Sequence, residues 1–185
     1  MNKVAENLIT QYMLFLSHLK TNLVILKYIE NNKLYEFNGE LTCIKINKIL
    51  DEVKKIRYDF QNAYCEFMIC WNKIDNTDNI AKEKLNKFNI KIFDYSLEFI
   101  GEILILINKI ITNVDSEIIK KTLSKLKDIL KSFRSIINTD IDEIDEHIQI
   151  LITNLDYKQN SQFISEKLNQ LIIIYQKLYD KYKID

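Results

Sequence analysis

The sequence predicts an all-α fold: an elongated antiparallel multi-helix bundle with coiled-coil-like packing, of about six helices, three long and three shorter. Three observations carry this. Apolar residues recur at alternating three- and four-residue steps along nearly the whole chain, there is no proline, and the only glycines are Gly39 and Gly101. No stretch alternates apolar and polar residues long enough to make a strand.

The first helix is expected over residues 3–35, on the seam Leu8, Tyr12, Phe15, Leu19, Asn22, Leu26 and Ile29. Asn22 is the one amide in that seam, and an edge position is expected for it, with Leu23 covering the core instead. Ile9, Leu16 and Leu23 widen the apolar stripe on one flank, and Tyr12 to Leu16 is apolar almost all round.

Asn38-Gly39 reads as a turn, because both residues tolerate positive φ. The second helix follows over 42–74 with the clearest seam of all: Ile46, Ile49, Val53, Ile56, Phe60, Ala63, Phe67, Cys70 and Ile74. Residues 75–79 are polar and rich in capping types. The third helix covers 80–112 through Leu85, Phe88, Ile92, Tyr95, Phe99, Ile103, Leu106 and Ile110. Gly101 inside it costs about 1 kcal/mol against alanine, which predicts close approach of a neighbouring helix.

Asp115 or Ser116 is positioned to cap a fourth helix, 116–137. Asp140 with Glu143 resembles a capping box for a fifth, 141–156, and Asn160 or Ser161 a cap for a sixth, 161–183. No Gly/Ser linker or composition break divides residues 1–185, so a single helical-bundle domain is expected.

The bulk numbers favour no particular partner. The chain of 185 residues has 26 basic and 26 acidic side chains, hence zero formal charge, so nothing at the global level argues for nucleic acid or an anionic membrane. The longest uncharged run, Asn7 to Leu19, is short of a membrane span, so no transmembrane segment is expected. No signal peptide is evident and a cytoplasmic location is expected; a leader removed earlier would leave no trace, so secretion stays open. Cys43, Cys65 and Cys70 are expected to be reduced, buried thiols.

Catalytic constellations are missing. Two glycines cannot build a phosphate-binding loop. There is no C-x-x-C or H-x-x-x-H pair for zinc, and His18 and His147 follow Phe15 and Ile144 at the position where a di-iron bundle needs glutamate. Neither Arg57 nor Arg134 is followed shortly by histidine, so the Arg-to-His motif of small helical RNases is absent. Glu143 and His147 stand four apart and are expected to form a surface pair. Tyr175, Tyr179 and Tyr182, and Trp71 beside Phe67, are expected to pack in the core. No enzyme activity, metal or cofactor is expected.

Two features are left over. Ile9, Met13, Leu16 and Leu23 form a second apolar flank on the first helix, and Lys120, Lys127, Lys131 and Arg134 share one narrow stripe of the fourth. Zero net charge favours pairing of that stripe with the acidic start of the fifth helix, Asp140 to Glu146. The function these features suggest is binding another protein or a second copy of itself, in an adaptor, effector, chaperone or immunity-type role. One alternative is a nucleic-acid-associated subunit using the basic stripe. Another is a membrane-active protein that inserts Tyr12 to Leu16 or Leu171 to Tyr175.

Overall fold

A computed structural model describes residues 2–73, 79–131, 138–156 and 161–182, and among them there is no strand. The elements are α1 (Asn2–Asn31), a 3-10 turn at Leu34–Glu36, α2 (Gly39–Lys73), α3 (Asn79–Ile110), α4 (Ser116–Lys131), α5 (Asn138–Asp156) and α6 (Ser161–Tyr182). Three helices are long and three shorter, as the periodicity predicts.

The first boundary differs from expectation. α1 stops at Asn31, not 35: the Asn32 N–H makes the last i→i−4 bond, to the Tyr28 carbonyl at 3.1 Å, and the Asn32 side-chain amide donates to the same carbonyl at 3.0 Å. That asparagine offers the backbone an alternative to another helical turn. Lys33 then turns the chain in the left-handed region, φ 51°.

The second turn also differs. Gly39 has no positive φ; it begins α2, and Asn38 is the N-cap, its side-chain oxygen accepting from the Leu41 N–H at 3.1 Å. Glycine leaves room there, since a β-carbon would stand 2.6 Å from Val114 Cγ2, which would have to shift. At α4 the cap is Asp115, which accepts from the Glu117 N–H at 2.8 Å. α5 begins at Asn138, before Asp140, and Asn160 lies outside the described residues.

Side-chain pairs give the directions. Tyr12–Phe88 and Lys27–Glu98 run α1 parallel to α3, whereas Phe15–Phe60 packs α1 on α2. Asn47–Thr122, Asp51–Lys125 and Lys54–Asp128 run α2 parallel to α4. Gly101–Tyr175 and Asn108–Asn169 run α3 antiparallel to α6. α5 packs on α4 and α6. The helices therefore close a ring in the order α1, α2, α4, α5, α6, α3.

One core runs through all six helices. α3 is its pivot: Leu97, Phe99, Ile100, Ile103, Leu104, Leu106 and Ile107 are all fully buried, most of that segment's circumference. α4 buries one side, Ile119, Thr122, Leu123, Leu126, Ile129 and Leu130. Each fully buried Leu, Ile or Phe contributes roughly 1.5–3 kcal/mol. Toward the other end of α1 to α3 the packing is aromatic, with Tyr12 stacked on Phe88 at 4.3 Å and Phe67 5.6 Å from Trp71.

Two further expectations change. Asn22 is not at an edge but buried, 5 % exposed, with no partner for its Nδ2, and Leu23 is buried beside it. α2 and α3 close over α1 from two sides, so the seam at Asn22 and the Leu23 edge beside it are both covered. Of the cysteines, all free, only Cys43 is buried; Cys65 is exposed because it lies on the outer side of α2.

Candidate functional site

The α1–α2 hairpin carries an apolar surface that the core does not use. Leu34, Phe37, Leu41 and Ile44 are exposed there, Phe37 by 85 %. After the left-handed turn at Lys33, no side chain of the 3-10 segment is fully buried: Tyr35 packs half-buried against the core, and Leu34 is left exposed. Phe37 stands between two grooves. One, about 210 Å³, is apolar and lined by Ile29, Leu34, Leu41 and Lys45. The other, about 560 Å³, is lined by Tyr35, Glu36, Glu40, Lys109 and Asn113.

The second groove borders a polar cluster between α1 and α3. Lys109 pairs with Glu30 at 3.4 Å, and its ammonium lies 5.4 Å from the centre of the Tyr35 ring. Lys27 pairs with Glu98 at 2.7 Å. Glu102 is 6 % exposed. Its burial, then its hydrogen bond and proximity to Glu30, push its carboxyl up to about 8. Glu30 is held below the usual carboxylate range, first by the Glu102 hydrogen bond, then by Lys109 against the opposing effect of burial. Near neutral pH the pair thus shares one proton, with Glu102 donating to Glu30.

The apolar flank of α1 divides. Ile9 and Met13 are exposed, together with Leu14, Val24 and Tyr28; Leu16 and Leu23 are 6 % and 7 % exposed and belong to the core. Leu16 and Leu23 are thus not free to meet a partner, because α3 packs along that edge of α1.

One lysine of the basic stripe of α4 reaches α5, on a neutral side chain beyond its acidic start. Lys127 donates to Gln149 at 2.6 Å, Lys120 is half-buried with a partner of its own, and Lys131 is exposed. Arg134 lies outside the described residues. On the other flank, Lys125 pairs with Asp51 at 2.6 Å. The Glu143–His147 pair is not a side-chain contact: His147 Nδ1 donates to the Glu143 backbone carbonyl at 2.8 Å. Tyr175 and Trp71 are in the core, and the side chains of Tyr179 and Tyr182 lie outside the described set.

Among the described residues no group of three His, Cys, Asp or Glu side chains could hold a metal ion, and no helix is long and apolar enough to cross a membrane. The hairpin surface escaped the periodicity because Leu34 and Phe37 lie between two helical seams. Its only signal was two large apolar residues beside the Asn38-Gly39 turn. No protein-family model, no curated protein and no solved structure matches the chain.

Proposed function

We propose that the protein acts by binding another protein through the α1–α2 hairpin, without chemistry of its own. The observation that carries this reading is the exposure of Phe37 with Leu34 and Leu41 lining a groove beside it, and of Ile44 further along α2. Isolated exposed apolar residues are ordinary, but several gathered on a projecting turn mark a contact surface. Ile9 and Met13 extend the exposed apolar side of α1 away from it.

The alternatives draw less support. Lys125 and Lys127 of α4 already have partners in Asp51 and Gln149, which weakens the nucleic-acid reading. Tyr12, Phe15, Leu16, Leu171 and Tyr175 are core residues, so membrane insertion would require the bundle to open. Glu36 and Glu40 beside Phe37 oppose an anionic lipid surface.

The test is photo-crosslinking in the source cell, with benzoylphenylalanine at position 37 and, as control, at the exposed position 55. The reading expects one reproducible protein adduct from position 37 that Leu41→Ser diminishes. Equal adduct patterns from both positions would overturn it. An adduct with the same chain would make the partner a second copy.

A further inference from the structure

Covering Phe37 has an electrostatic consequence. Glu36 precedes it in the chain, and Glu36 and Glu40 both line the larger groove. Both are exposed, and among the described residues neither carboxylate has a hydrogen bond or an ion pair. The one lysine of that groove, Lys109, is already held by Glu30 and lies over Tyr35. α3 ends against the same groove at Ile110, so its terminal carbonyls add negative potential. The start of α2 offsets part of the charge on Glu40 alone. A partner that buries Phe37 strips water from these carboxylates, and an uncompensated carboxylate resists that strongly.

We propose that the partner presents a basic side chain flanked by apolar residues, its cation seated in the groove of Glu36 and Glu40 and its apolar flank on Phe37. This rests on the hairpin being the protein-binding surface, and it names the chemistry of what binds. An arginine suits the site best: its planar guanidinium can pair with a carboxylate and lie on the Phe37 ring together. An acidic segment is rejected by the same two carboxylates.

The experiment is an amide NMR titration of the full chain with two acetylated, amidated tripeptides, Leu-Arg-Leu and Leu-Glu-Leu. The arginine peptide is expected to shift amides at residues 35–41 and 109–113, and to bind more tightly than the glutamate peptide. Glu36→Gln with Glu40→Gln, both exposed changes, is expected to weaken the arginine peptide roughly five- to ten-fold and to leave the glutamate peptide no weaker. Phe37→Ala should weaken both. Equal affinity for the two peptides would overturn the proposal while keeping the hairpin as an apolar contact surface. No shift at the hairpin with either peptide would overturn both readings. A response only to phosphatidylglycerol vesicles would replace the basic segment with a lipid surface.

Discussion

The ring of Tyr175 on α6 lies directly over Gly101 on α3: its Cζ and hydroxyl come within 2.8 and 2.9 Å of where a β-carbon would stand. Gly101 and Tyr175 are both buried, so the ring has little room to retreat. Two effects oppose each other in Gly101→Ala. Helix propensity favours alanine by about 1 kcal/mol, and overpacking against a buried ring costs about 1–3 kcal/mol. Steric conflict is expected to win, lowering stability by about 1–2 kcal/mol in urea denaturation. Adding Tyr175→Leu should recover part of that loss relative to Tyr175→Leu alone. A Gly101→Ala protein more stable than the parent would show that α6 can shift.

Glu30 and Glu102 make stability depend on pH. Glu102 moves from an ordinary value of 4.5 to about 8 on folding. Between those values the folded chain holds a proton there that the unfolded chain has lost. Stability therefore falls as pH rises from about 4.5 to about 8, by at most about 1.4 kcal/mol per pH unit from this group. Glu30 is shifted the other way, so its contribution is lost as pH falls through its lowered folded value. Glu102→Gln keeps a donor toward Glu30 and should flatten the alkaline side of the profile. Identical slopes for parent and variant over that window would disprove the shared proton.

Asn22 is buried in the α1 seam with its Nδ2 unpartnered. A buried donor without an acceptor is destabilising, so Asn22→Leu is expected to raise stability by about 1 kcal/mol. A seam amide also restricts register and assembly state. Sedimentation velocity on the same variant should therefore be compared with the parent. A loss of stability would mean that the amide is satisfied or that the site has no room for leucine.

The thiols should react in a fixed order. Cys65 is exposed, whereas Cys43 is buried, and burial, against a hydrogen bond with Thr122, pushes its thiol up to about 11. Only the thiolate is nucleophilic. Brief alkylation of the native chain at pH 8, read by mass spectrometry, is expected to modify Cys65 first and Cys43 only after denaturant is added. Early labelling of Cys43 would mean that α2 and α4 separate readily.

The legible parts of this chain were local ones. The seams of α1 to α4 show in the spacing, Asp115 shows as a cap, and Gly101 shows as a close approach because glycine inside a helix needs a reason. The candidate site was less legible. Met13 and Ile9 were readable as a second flank, but Leu16 and Leu23 share its spacing and are buried. Periodicity says that a residue is apolar and on a given side; it does not say how wide a side the neighbouring helices cover.

By itself the sequence determined that this protein is a set of six amphipathic helices without the residue sets of the catalytic and metal sites considered, because helical periodicity, caps and motif spacing are properties of nearby residues. Only the tertiary structure decided the rest. It brought Glu30 to Glu102, Tyr175 to Gly101 and Lys127 to Gln149, and left Phe37 in solvent. Each of these depends on which helices become neighbours, and that choice is made by the packing of whole faces, over separations that no local pattern spans.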